Sequence, residues 1–364
     1  MQIATVRTET ASAGPTALPL NQQERHVLSR LLRLYGTNSI SYFALQAGKS
    51  HFFSASGKSA ISYVLIGRVA VVAGDPIGPE EELLSTIEQF LAFCHEQYWT
   101  LVFWQVRDTL VSLYRRAGLH VLKIGEDAII MTRTFTLTGK AMANLRSKAH
   151  RAEKEGLQIV FTRRNVQDVQ QRADMERITR TWLASKGGEE MGFSMGYVDF
   201  CGDADLLYAL AVDPANMVHA FVTFVPIYGR NGCALDLMRR AEQAAPGSME
   251  LLLIRSIDYL RSNGADVVSL GLAPLSNVTA TKQTFLGASL DFLTRLLGTS
   301  STNRSLFTFK NKFQPHWESR YLVFSNPLAL PKIGWALYQA HRQNASLLKI
   351  LYESLKKRQT SPAA

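Results

Sequence analysis

Val27, Leu28, Leu31, Leu32, Leu34 and Tyr35 recur at helical spacing and Gly36 follows them, so the first ordered element predicted after residue 20 is an amphipathic helix. Short apolar runs come next, at 41–45, 51–55, 60–66 and 69–74, punctuated by Gly48, Gly57, Gly67 and Gly74, which is the pattern of an antiparallel meander. Glu80, Glu81 and Glu82 then open a second helix with apolar positions at Leu83, Ile87, Phe90 and Leu91, because acidic side chains suit the positive end of a helix dipole. A strand at 100–106, a helix at 109–117 and strands around Val121 and at 128–132 complete an α/β unit.

The plan then repeats. After a basic stretch at 144–156 the pattern gives a strand at 158–162, a helix at 166–184, strands at 206–212, 219–227 and 233–238, a helix at 249–263 and a strand at 267–270. Two similarly built units without a sequence repeat are expected: an α/β (α+β) chain with units at 21–140 and 157–328, a basic linking helix at 141–156 and a flexible lead-in over 1–20. A last, mostly apolar stripe, Ile333, Leu337, Ala340, Asn344, Leu348, Leu351 and Leu355, predicts an amphipathic tail helix over 329–364. Lys349, Lys356, Lys357 and Arg358 make it basic, so it either packs on the body or lies on a membrane surface.

Composition narrows the partners. The 364 residues carry 40 Lys+Arg against 30 Asp+Glu, a formal charge of +10, which points to an anionic partner such as a nucleic acid or an acidic membrane face. A hydrophobic content of 46% supplies two packed cores and excludes general disorder. Cys94, Cys201 and Cys233 lie too far apart for a metal-binding pair or a disulfide framework, and neither a membrane-spanning run nor a signal-type apolar segment is expected. No metal and no bound cofactor are expected.

Four segments are richer in polar and special residues than a core requires. In 74–78 (GDPIG) Asp75 caps a strand-to-helix turn, with a binding role as the lesser alternative. In 182–197 Lys186, Glu189 and Glu190 sit among four glycines, a loop costly to order unless something binds there. In 235–240 (LDLMRR) Asp236 and Arg239 stand at a strand end, on opposite faces unless a bulge intervenes, with Arg240 beside them. In 307–321 Lys310, Lys312, His316 and Arg320 are interleaved with aromatics, a mixture that suits phosphates and bases. Arg146, His150 and Lys154 fall at i, i+4 and i+8 on one helical stripe that can follow a phosphate backbone.

Taken in order, HFFSASGKSAISY (51–63), AGDPIG (73–78), GEDAII (125–130), EEMGFSMGY (189–197), LDLMRR (235–240), GSME (247–250), LGLAPLS (270–276) and FKNKFQPHWESRYL (309–322) resemble the C-terminal catalytic domain of the phosphatidylglycerol lysyltransferases, the multiple peptide resistance factors. The resemblance implies tandem acetyltransferase-like (GNAT) domains with mixed central sheets. It implies transfer of an aminoacyl group, lysyl or another, from aminoacyl-tRNA to a hydroxyl of an anionic lipid such as phosphatidylglycerol. The sequence departs from the full-length family in that the flippase module is not seen in it, so a chain peripheral to the inner face of the membrane is expected, touching it through the domain surface or the tail helix. On that basis Asp236 is expected to act as base or to orient the acceptor, and Arg239 to hold a phosphate or the developing oxyanion. Glu189, Glu190 or Glu250 would receive the α-ammonium; Lys310, Lys312 and Arg146 would contact lipid or tRNA phosphates. Two other readings stay open: a non-catalytic RNA- or lipid-binding scaffold, and an acetyl-CoA-dependent acetyltransferase, the latter disfavoured because no Q/R-x-x-G-x-G/A pyrophosphate loop occurs.

Overall fold

The structure, a computed structural model, describes residues 22–163, 166–186, 191–198, 205–274, 276 and 300–342. The opening helix, α1 (Gln22–Tyr35), buries Leu28, Leu31 and Leu32 and ends where the Gly36 amide donates to the Leu32 carbonyl at 2.8 Å. Residues 41–45, expected as a strand, form a 3-10 turn instead. The Ser41 and Phe43 amides bond back to the Asn38 and Ile40 carbonyls, and a five-residue run that is almost wholly buried shows no period to separate strand from turn.

The remaining elements follow in order: β1 (Ser50–Phe53), β2 (Ala60–Ile66), β3 (Val69–Ala73), α2 (Glu80–Glu96), β4 (Thr100–Arg107), α3 (Val111–Arg116), β5 (His120–Met131) and α4 (Ala143–Lys154). Then come β6 (Gln158–Arg163), α5 (Val169–Lys186), β7 (Leu207–Val212), β8 (Val218–Ile227), β9 (Gly232–Arg240), α6 (Ser248–Ser262), β10 (Val267–Pro274), α7 (Ser300–Asn311), β11 (His316–Phe324) and α8 (Leu330–His341). Among the described residues one mixed sheet takes in eleven strands, in the order β1-β2-β3-β4-β11-β5-β10-β9-β8-β7-β6.

That order has a two-fold pattern. From one side, β1, β2 and β3 run antiparallel and β3 pairs parallel with β4 across the α2 crossover. From the other, β7, β8 and β9 run antiparallel and β9 pairs parallel with β10 across α6. Each run is closed by the other half's last strand: β11 lies on β4, β5 lies on β10, and β11 and β5 pair with each other down the middle. The exchange brings residues far apart in sequence onto the central strands. VAVVA of β3 is buried at every position, as a strand covered on both faces must be.

α8 answers half of the tail question. Leu330, Ile333, Ala336 and Leu337 are each at most 1% exposed against the sheet, and fully burying a Leu or Ile contributes about 1.5–3 kcal/mol. Residues 330–341 therefore pack on the body. The basic remainder of the tail lies outside the described residues.

Candidate active site

The site begins with a fault in the β8–β9 ladder. Val222 pairs with Met238 but Phe224 pairs with Leu235, so Asp236 and Leu237 together oppose Thr223. This bulge shifts the side-chain alternation by one residue, as Asp236 and Arg239 require in order to share a face. Leu235 and Met238 pack toward α4 and α6, whereas Leu237 packs toward α5, and Asp236 now falls on the α5 face with Arg239. The Thr223 hydroxyl accepts from the Leu237 amide at 3.0 Å and donates to Asp236 Oδ2 at 3.3 Å. The Gly196 amide donates to Asp236 Oδ1 at 2.7 Å, and a Cβ at Gly196 would collide with that carboxylate. Arg239, 3% exposed, donates to Thr179 Oγ1 at 2.9 Å and lies 5.2 Å from the centre of the Trp182 ring.

A gap opens next to this bulge. The parallel pairing of β9 with β10 runs from Gly232/Val267 to Ala234/Ser269 and stops there, while β10 continues against β5 with a register shift between Ser269 and Leu272. Lys310 enters from α7, 4% exposed, and its ammonium donates to the Leu272 carbonyl at 2.8 Å. At Gly271 (φ +83°) a Cβ would lie 3.5 Å from Lys310 Nζ and 3.9 Å from the Leu235 carbonyl oxygen, so ammonium and carbonyl flank the glycine. Burial lowers the Lys310 ammonium to about 8, with Asp127 pulling the other way.

A chain of charges runs from buried Asp127 and Arg320 out to partly exposed Glu318 and Arg230. Asp127, 0% exposed, accepts from Ser39 and Ser269 hydroxyls at 2.6 Å each and from Arg320 Nη2 at 2.8 Å. Arg320 also reaches Glu318 at 3.2 Å, and Glu318 accepts a two-pronged pair from Arg230 at 2.7 and 3.0 Å. Burial alone would push the Asp127 carboxyl up, but Arg320, Ser269, Ser39 and Lys310 outweigh it and hold it below its ordinary value. Next along the chain, Asn38 Nδ2 donates to Asp75 at 2.8 Å, and Asp75 also takes Arg107 Nε at 3.1 Å. Asp75, in the turn between β3 and α2, thus clasps the end of β4 at Arg107.

The other expected residues scatter. Glu250, at the start of α6, accepts from Lys312 at 3.0 Å and pairs with Lys148 at 3.3 Å. Arg146, His150 and Lys154 are exposed on α4, where Arg146 donates to the Leu137 and Gly139 carbonyls and His150 stands 3.8 Å from Glu153. Arg240 is exposed at the end of β9. Glu189, Glu190 and the Lys186 side chain lie outside the described residues. Asp127, Glu318, Arg230 and Thr223 were not singled out by the sequence, although a carboxylate inside the apolar run of β5 demands a buried partner and so signals one.

The model of one protein family, phosphatidylglycerol lysyltransferase, C-terminal, matches residues 29–324. The chain is 30% identical to a phosphatidylglycerol lysyltransferase of Bacillus subtilis, over 82% of this chain and 34% of that protein. It is also 30% identical to the lysylphosphatidylglycerol biosynthesis bifunctional protein LysX of Mycobacterium marinum, over 87% of this chain and 29% of that protein. The chain thus spans about a third of the length of these curated relatives. Among solved structures it is similar to L-PGS from Bacillus licheniformis, with a TM-score of 0.76 and 28% identity, covering 86% of this chain and 95% of that one.

Proposed function

The chain belongs to the phosphatidylglycerol lysyltransferase C-terminal family, and from that premise we propose that it is an aminoacyltransferase moving an aminoacyl group from aminoacyl-tRNA to a hydroxyl of phosphatidylglycerol or a similar anionic lipid. The observation that carries the reading is the buried Lys310 ammonium, held on the Leu272 carbonyl where the β9–β10 pairing stops, next to the Asp236 bulge. A tetrahedral oxyanion needs a fixed donor in a site shielded from water, and a buried ammonium beside a strand gap meets that need.

The donor ester is already activated, so the chain's task is positioning and charge stabilisation. The acceptor oxygen attacks the ester carbonyl carbon, a new C–O bond forms, and the bond to the tRNA ribose oxygen breaks. In this reading Asp236 takes the proton of the acceptor hydroxyl and returns it to the departing ribose oxygen. Lys310 holds the developing oxyanion, and Arg239, fixed by Thr179 and Trp182, holds the lipid phosphate. Glu189 and Glu190 receive the α-ammonium, while Glu250 keeps Lys148 and Lys312 in place.

The exposed α4 stripe, with Arg255 of α6 beside it, offers the tRNA backbone a row of cations. Acetyl-CoA is disfavoured on geometry: at the α6 N-terminus, where a helix would accept a pyrophosphate, the Glu250 carboxylate sits between two lysines, and Gly247 packs on the Lys148 carbonyl.

The test incubates the purified chain with phosphatidylglycerol vesicles and a charged-tRNA pool and seeks aminoacylated lipid by mass spectrometry. Absence of any lipid adduct defeats the reading, and salt-sensitive tRNA binding without turnover would favour the scaffold alternative. Arg146→Gln with Lys154→Gln should reduce the slope of log affinity for tRNA against log salt by about one per lost contact. An unchanged slope removes α4 from the interface.

A further inference from the structure

Residues 191–198 lie on Asp236 through the Gly196 amide, yet form neither helix nor strand. Within them Phe193 is 3% exposed and has φ +67°, a left-handed conformation that costs an aromatic residue about 1–2 kcal/mol and persists only where its surroundings impose it.

Those surroundings come from two distant elements. Lys49, just ahead of β1 and 3% exposed, donates to the Phe193 carbonyl at 2.6 Å and lies 5.1 Å from the centre of its ring. Burial lowers that ammonium to about 7, and no carboxylate among the described residues is bonded to it, so its place is costly for folding alone. From the other side comes His341, the last residue of α8 and 4% exposed. Its Nε2 bonds Ser194 Oγ at 2.9 Å, its carbonyl accepts from the Gly192 amide at 2.9 Å, and its ring meets Phe193 edge-on at 5.1 Å.

We propose that Lys49 and His341 are positioning residues that clamp 191–198 so that the Gly196 amide stays on the Asp236 carboxylate. The C-terminal helix thereby becomes part of the site's support, because its last turn holds the segment that orients Asp236. The catalytic consequence rests on the proposed aminoacyl transfer; the clamp itself does not.

Two measurements on the 364-residue chain separate them: amide hydrogen exchange of peptides spanning 191–198, and steady-state transfer to phosphatidylglycerol vesicles. In Lys49→Met and His341→Leu, exchange of 191–198 should rise about tenfold, and kcat should fall about tenfold with KM for lipid within about twofold of wild type. Ser194→Ala, which removes only the hydroxyl that meets His341, should move both readings in the same direction. His341→Gln keeps an amide able to bond Ser194 and should recover most of the loss. Unchanged exchange in Lys49→Met, His341→Leu and Ser194→Ala overturns the clamp, and faster exchange with unaltered kcat overturns the positioning role. If wild type transfers nothing to lipid, the proposed function falls and exchange alone decides the clamp.

Discussion

Arg320→Met should destabilise the fold by about 3–5 kcal/mol, the range for removing one partner of a buried ion pair. Arg320 is 1% exposed and Asp127 0%, so solvent screens neither charge. In the variant Asp127 keeps, among the described residues, its two serine hydroxyls and the more distant Lys310, and burial then becomes the dominant influence on its carboxyl. The sign of the pH dependence follows. In wild type the folded carboxyl titrates below its ordinary value, so its contribution is present above about pH 4 and lost as pH falls through the lower folded value. In the variant the folded value rises above the unfolded one, and the charged form costs stability at neutral pH. The deficit against wild type, read from urea midpoints, should therefore shrink between pH 7 and pH 4. Adding Asp127→Asn to Arg320→Met should return part of the loss, since the two residues act as one pair. Equal deficits at both pH values, or simple additivity, would sink this account.

The ion pair also shows why parts of the fold were hidden from the sequence. Helices α1, α2 and α6 and strands β2, β3 and β7 follow from local periodicity, and the structure has them within a few residues of their expected places. The partnership of β5 with β10 and of β11 with β4 does not, because the exchange couples residues about 190 positions apart, as in Asp127 and Arg320. In sequence, residues 307–321 are one stretch of interleaved cations and aromatics. They are the end of α7 followed by β11, and that break carries Lys310 into the buried gap while Lys312 stays at its edge with Glu250. The polar start of α7, Ser300 to Ser305, masked the helix from an apolar-period reading. Asp236 and Arg239 share a face through the bulge, which the Thr223 hydroxyl braces by taking the Leu237 amide, and no property of LDLMRR alone specifies that.

Lys310→Met should have the larger effect on activity, a fall in transfer rate of about 100- to 1000-fold, the range for deleting a principal oxyanion donor. The same substitution should leave the melting temperature unchanged or raised. A base whose folded value is depressed costs stability while it is charged: for Lys310 the cost is present in full below about 8 and disappears above the ordinary lysine value. At pH 7 methionine removes that cost, against which stands the loss of a cation near Asp127. A purely structural lysine would show the opposite pairing, activity falling only as far as stability falls. The pH profile separates the chemical roles. If the ammonium is the donor, kcat corrected for spontaneous ester hydrolysis should decline as pH rises through about 8, and Lys310→Met should lack that limb. A wild-type kcat that climbs through the same region would make Lys310 the base and displace Asp236 from that role. A melting temperature that drops in step with activity would remove Lys310 from the chemistry altogether.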